Sequence, residues 1–222
     1  MKLIGGILAV LISGAVLSVC AAEPVFVDLP KPQTKGKVSV EQALQQRRSF
    51  REPSEKPITL KEVGQLCWAA QGVTDDKGHR TAPSAMASYP LELYVLAGNV
   101  SDFDPGLYRY EPAGHRLELM KEGNPVEGFT KKAARQEWIA KAPVIFVISG
   151  KAKTIAKMKG TGLRMTSIET GLAAQGFLLQ AQAMGLGSTF VGGFNLAQAC
   201  KFLRLPAKDV VLGVLPVGHK AK

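Results

Sequence analysis

Between Met165 and Phe194 the chain reads MTSIETGLAAQGFLLQAQAMGLGSTFVGGF, and this stretch limits the fold more than any other. Leu172, Ala173, Ala174, Phe177, Leu178, Leu179, Ala181, Ala183 and Met184 put apolar groups on nearly every side of a helix. The intervening Gln175, Gln180 and Gln182 carry no charge. Such a helix is expected to be buried all round, and it is too short and too polar for a membrane span. Gly185 supplies the stop, since glycine accepts the left-handed conformation that closes a helix. Gly187, Gly192 and Gly193 follow in an apolar segment. Glycines placed there are either turn residues or a surface on which a flat ligand lies close to the backbone.

A helix of this kind needs a domain around it, and the 222 residues suffice for one with a real core. Residues 1–22 read as a targeting segment. Lys2 precedes an apolar run from Leu3 to Val19, and the small residues Ala21 and Ala22 mark a cleavage site of Sec type. The mature chain is then expected outside the cytoplasm, periplasmic or secreted. An uncleaved anchor and lipidation at Cys20 are the competing readings, the second weakened by Val19 standing before the cysteine. Lys2 is the only charge in that segment, so its removal leaves 27 basic and 18 acidic residues, or +9. That balance suits acidic ligands or anionic surfaces. No run of basic residues interleaved with aromatics points to nucleic acid. Cys67 and Cys200 remain in the mature chain and read as two buried thiols rather than a disulfide. His79, His115 and His219 are too far apart for a metal-ligand pattern.

Residues 23–37, with three prolines, read as an extended N-terminal arm. Residues 38–222 read as one domain without internal repeat or linker. Ser39–Gln42 and Thr59–Glu62 are capping boxes. They predict a helix from Val40 and a second one that stops at Gly72. Leu91–Ala97 and Val144–Ile148 have strand character. Residues 106–110 and 117–119 form a hairpin about a turn at Pro112–Gly114. A short helix is expected over Lys131–Ile139, another after the cap Asn195, and a final buried strand over Val210–Val217. The class is α+β, a central mixed sheet with helices on both faces.

Two nucleotide motifs are excluded. Ser149-Gly150-Lys151 lacks the hydroxyl residue of a phosphate loop, and the G-x-G pairs at Gly160 and Gly185 lack the third glycine. The positive signal is Arg47, Arg48, Ser49 and Arg51. Three guanidiniums and a hydroxyl within five residues can surround a phosphate. A solvated basic helix end reads equally from the same residues.

The order of these pieces resembles the FMN-dependent nitroreductase family, and within it the branch of azoline (thiazole/oxazole) peptide dehydrogenases. The resemblance spans about residues 38–219 and rests on four segments: Arg47 to Arg51; Gln65 to Gly72; Pro83-Ser84-Ala85 with Tyr89 to Leu93; and Glu169 to Phe194. It implies a nitroreductase-like fold with a long central helix at a homodimer interface, and FMN as cofactor. It implies that Arg47, Ser49 and Arg51 hold the phosphate and ribityl chain, with Arg48 helping through side chain or backbone. Pro83, Ser84 and Ala85 would line the flavin, often from the partner subunit. Gly192 and Gly193 would lie against the ring, Gln136 near it, and Lys220 or Lys222 would complete the phosphate site. No protein residue would be catalytic in its own right, because the flavin carries the chemistry. The acceptor would be a small organic molecule: a nitroaromatic, a quinone or an azoline-like compound. NAD(P)H is the usual donor, and export argues against it here. A non-catalytic flavin or small-ligand binding protein on the same fold is the alternative. Met86, Ala87 and Ser88 depart from the small residues or asparagine that follow Pro-Ser in the family.

Overall fold

The computed structural model describes residues 23–220. The expected export segment with Cys20, and Lys222, lie outside the described residues. The strand β7 (Val144–Gly150) is the axis of the fold, with every residue buried. Alternation along it sends Val144, Phe146 and Ile148 into one apolar cluster and Ile145 and Val147 into another. Around it lie β1 (Phe26–Asp28), β3 (Leu91–Ala97), β5 (Gly106–Glu111), β6 (Arg116–Glu122), β8 (Leu186–Ser188) and β9 (Val210–His219). They form a seven-stranded sheet in the order β1-β6-β5-β3-β7-β9-β8. Every pair in it is antiparallel, where a mixed sheet was expected. A strand buried on both faces has the same continuous apolar pattern in either direction, so sequence does not signal the sense of pairing. Parallel pairing occurs in a separate two-residue ladder between β2 (Ile58–Thr59) and β4 (Val100–Ser101).

One face of the sheet is covered by α2 (Leu60–Gln71) and α5 (Gly162–Ala183), where Phe146 meets Phe177 edge to face at 4.8 Å. The other face carries α3 (Val126–Phe129) and α6 (Leu196–Phe202). Helix α1 (Val40–Gln46) packs on α5, and α4 (Ala152–Lys157) leads into it. Both predicted capping boxes are formed, Ser39 with Gln42 and Thr59 with Glu62. Asn195 caps α6 by accepting from the Gln198 N–H.

Three expectations are corrected. Helix α5 buries Thr166, Glu169, Thr170, Ala173, Ala174, Phe177, Leu178 and Ala181, but Ile168 and Leu172 on its other side are 48% and 46% exposed. A single chain therefore covers one face of this helix, not all of it. The helix expected over Lys131–Ile139 is broken into a π-turn over Thr130–Ala134 and a 3₁₀ turn over Glu137–Lys141. Between them Arg135 turns left-handed at φ 56°, which no glycine announces. Gly72 does end α2, but in an extended conformation. A Cβ there would stand 2.2 Å from the Trp68 ring, so the glycine supplies room rather than a left-handed turn. Gly185, by contrast, closes α5 at φ 75° as expected. The N-terminal arm enters the sheet as its edge strand: β1 pairs with β6, and Leu29 is buried. Cys67 and Cys200 are free thiols in clusters on opposite faces of the sheet.

Candidate functional site

The arginine run leaves α1 in extended conformation and lies along the sheet edge. Ser49 forms a parallel bridge with Ser188, the Phe50 N–H donates to the Ser188 carbonyl at 3.2 Å, and Pro53 bridges Lys220. Phe50 fills the space over Gly187, where a Cβ would stand 2.1 Å from its ring. Gly187 is thus spoken for by a side chain of the fold, not by a ligand. In an extended run alternate residues share a side. That sets Arg47, Ser49 and Arg51 together, opposite Phe50. Neither Arg47 nor Arg51 has a side-chain hydrogen bond or ion pair among the described residues. Arg48 has a different employment. Its guanidinium donates to the carbonyls of Gln45 at 2.9 Å and Arg47 at 2.8 Å, satisfying the end of α1. The basic-helix-end reading therefore holds for Arg48, and the phosphate reading stays with Arg47, Ser49 and Arg51.

Lys220 joins them. Its ammonium donates to Gln182 at 2.9 Å, and Gln182 reaches Gln46 at 3.4 Å, so the ends of α1, α5 and β9 meet beside the arginine run. Lys220 thus stands on the backbone ladder beside the run that carries Arg47, Ser49 and Arg51, and none of the three cations has a carboxylate within ion-pair distance among the described residues. An anion with several acceptor oxygens is a suitable partner for such unpaired cations.

From Ser188 the chain continues to Gly192 and Gly193, four and five residues on and at most about 18 Å away at full extension. Val191 is pinned to Val214 by a bridge, and the Gln136 amide donates to the Gly193 carbonyl at 3.2 Å while accepting from the Trp138 indole at 3.1 Å. Gln136 is a latch on the glycine segment. Neither glycine has positive φ. A Cβ on Gly192 would meet only Phe190, at 3.6 Å, and one on Gly193 would meet nothing within 4 Å. The N–H groups of both glycines lack a protein acceptor among the described residues. The segment can therefore take a planar group edge-on, with a backbone donor directed at it. These features fit a phosphate-bearing, flat cofactor.

Pro83, Ser84 and Ala85 are elsewhere. The Ala85 N–H donates to the buried Glu169 carboxylate at 2.8 Å. Sequence reasoning missed Glu169 as the anchor of this loop, although an acid inside an apolar helix was a signal. Glu169 and Gln182 are 13 positions apart on α5, about 20 Å along its axis. One chain therefore does not bring the Pro-Ser loop to its own arginine run. Lys222 lies outside the described residues. A separate hollow of about 700 Å³ on the other face of the sheet, bordered by Leu107, Lys121, Lys132 and Phe202, shares no residue with the site.

Residues 44–219 match the sequence model of the nitroreductase family. The chain is 35% identical over 184 residues to a candidate nitroreductase of Methanocaldococcus jannaschii, covering 82% of this chain and 92% of that protein. Among solved structures it is similar to a candidate nitroreductase of Ralstonia eutropha, with TM-score 0.79, 28% identity, and 89% and 90% of the two chains covered. The NADPH:FMN oxidoreductase of Vibrio harveyi complexed with NAD+ shares the fold at TM-score 0.60 and 19% identity, with 82% and 69% covered.

Proposed function

The chain belongs to the nitroreductase family, and from that premise we propose that it is an exported, homodimeric FMN-dependent oxidoreductase acting on a small organic acceptor. The observation that carries the reading is the docking of the Arg47–Arg51 run and Lys220 on the same sheet edge, beside Ser188, from which the chain runs on to the open Gly192 and Gly193. In this reading the three cations and Ser49 bind the phosphate. Gly192 and Gly193 receive the ring and direct a backbone N–H at it, and Gln136 holds that backbone in place. The Pro83–Ala85 loop comes from the second subunit, since it stands about 20 Å from its own chain's arginine run. FMN, when bound, supplies transfer of hydride or electrons between donor and acceptor. The protein's part is to bind, orient and exclude water.

NAD(P)H fits as donor by analogy with the Vibrio harveyi enzyme. Export through residues 1–22, with cleavage after Ala22, favours a donor available outside the cytoplasm instead. The acceptor is a nitroaromatic, a quinone or an azoline-like compound, the last following from the resemblance to the azoline dehydrogenase branch.

The first test is an absorbance spectrum of the purified protein before and after adding FMN. Flavin bands that survive desalting are expected, and a colourless protein that ignores FMN overturns the proposal. Arg47→Ala and Arg51→Ala are each expected to weaken FMN binding about tenfold or more; unchanged affinity removes the phosphate role. Stopped-flow mixing of the reduced protein with a quinone or nitroaromatic separates an enzyme, which is reoxidised, from a flavin-binding protein, which is not.

A further inference from the structure

The Pro83–Tyr89 loop concentrates backbone strain. Met86, Ala87 and Tyr89 hold φ of 55°, 49° and 45° without being glycine. A residue with a Cβ is held there against its own preference, and such clusters persist where the surroundings impose them. Here the restraints are the Ala85 N–H bond to Glu169, the Tyr89 N–H bond to Ser84 Oγ at 2.9 Å, and the turn bonds from Ala87 to Ser84 and from Ser88 to Ala85. Two side chains of the loop are placed where a ligand can reach or sense them. Met86 is 77% exposed, and the Tyr89 ring lies under the Arg80 guanidinium, 4.5 Å from its centroid.

Arg80 stands apart from the other half-buried arginines engaged with the sheet. Arg109 is paired with Glu118 and Glu92, and Arg116 with Glu111. Arg80 has one side-chain bond, to Gln71 at 2.9 Å, and no carboxylate within ion-pair distance among the described residues. A guanidinium has five N–H donors, so most of its capacity is unspent. Its place is fixed: Arg80 bridges Val73, and the Thr81 backbone and hydroxyl bond to Gly72 and Trp68. Burial pulls its pKa down, against the smaller opposing influence of Tyr89, Tyr110 and Glu111. Glu111 does not compensate it, being bound to Arg116 and to the Ala113 and Gly114 N–H groups. The fold thus keeps a partly desolvated, uncompensated cation against the loop that carries Met86, an arrangement that costs free energy until an anion joins it.

Resting on the function proposed above, we propose that Arg80, backed by Tyr89, is the anion-reading element of the substrate site. The acceptor is then a planar organic acid whose carboxylate is taken by the Arg80 fork while its apolar body lies against Met86. The fork geometry suits a carboxylate bidentately, and the basic charge of the chain favours its approach.

The test uses the FMN-loaded protein with 4-nitrobenzoate and the neutral isostere 4-nitrobenzamide. Binding is followed by calorimetry and turnover by steady-state kinetics. The wild type is expected to bind the acid about tenfold or more tighter than the amide. Arg80→Met is expected to abolish that preference through the acid alone, leaving amide affinity and flavin content within about twofold. Arg80→Lys should restore part of it, as a point charge does. No preference in the wild type, a preference that survives Arg80→Met, or an equal loss for both ligands overturns the assignment, the last meaning that Arg80 only props the loop. The wild-type comparison needs no variant to fold. If the protein takes up no FMN, the functional reading fails by itself. Calorimetry on the flavin-free protein then decides Arg80 separately: selective binding of the acid keeps the assignment, and its absence removes it.

Discussion

At the scale of single residues, the glycines of the segment after α5 divide into two kinds. Gly187 is required because Phe50 lies where its Cβ would be, 2.1 Å from the ring. Gly193 meets nothing within 4 Å and has ordinary φ. Adding one methyl group therefore has opposite consequences. Gly187→Ala displaces Phe50 and with it the arginine run, and is expected to cost about 1–3 kcal/mol of stability in urea denaturation, as overpacking does. Gly193→Ala is expected to leave stability within about 0.5 kcal/mol while weakening flavin binding measured by fluorescence titration. If Gly193→Ala destabilised the fold and left flavin affinity alone, its assignment to the ring would fall. The sequence marks both positions in the same way, because the ring that fills the space over Gly187 comes from more than a hundred positions earlier. A contact across the fold likewise hides Gly213, whose missing side chain makes room for Phe190.

At the scale of elements, the N-terminal arm is held by the β1–β6 ladder, by Gln65 at Gln33 and by the imidazole of His115. His115 donates from Nε2 to the Pro30 carbonyl at 3.1 Å, an acceptor only, so Nδ1 of the neutral ring accepts from the Tyr110 hydroxyl at 2.9 Å. Burial pushes the Tyr110 phenol up, so it keeps the proton it donates. Burial also lowers the His115 pKa from 6.5, outweighing the Pro30 carbonyl, which favours the charged ring. The unfolded chain then binds the proton more readily than the folded one. Stability is full above about pH 6.5 and is lost as pH falls from there toward the depressed folded value. Thermal unfolding of the wild type should therefore move to lower temperature on acidification through this window. His115→Gln should show a smaller shift, and equal shifts in the two proteins would remove His115 as the cause. Local signals such as the Ser39, Thr59 and Asn195 caps and the apolar strands were legible because each acts within a few residues. The docking of β1 on β6, the sense of strand pairing and the break at Arg135 were not, because each depends on what lies across the fold.

At the scale of the whole molecule, the candidate site has two halves that one chain keeps apart. The half proposed to bind phosphate sits at the C-terminal end of α5, and the Pro-Ser loop is tied to Glu169 about 20 Å nearer its beginning. The sequence could not show their separation, which follows only once α5 is one continuous helix and Lys220 is seen beside Gln182. The exposed Ile168 and Leu172 lie on the face of α5 that the sheet leaves uncovered, and a second copy of the same helix would bury them in a two-fold interface. If each site takes its phosphate half from one subunit and its loop from the other, defects in the two halves must complement. Arg51→Ala and Glu169→Ala homodimers should each bind flavin poorly. Unfolded together and refolded at equal amounts, half of the dimers would be mixed, and each mixed dimer would hold one site with both halves intact. Flavin binding should then recover to about a quarter of the wild-type sites, a yield that neither variant reaches alone. Ile168→Asp with Leu172→Asp should abolish that recovery by giving monomers in sedimentation, with far-UV circular dichroism retained. Recovery in monomers, or none in mixed dimers of normal size, would return both halves to a single chain and require α5 to bend between Glu169 and Gln182.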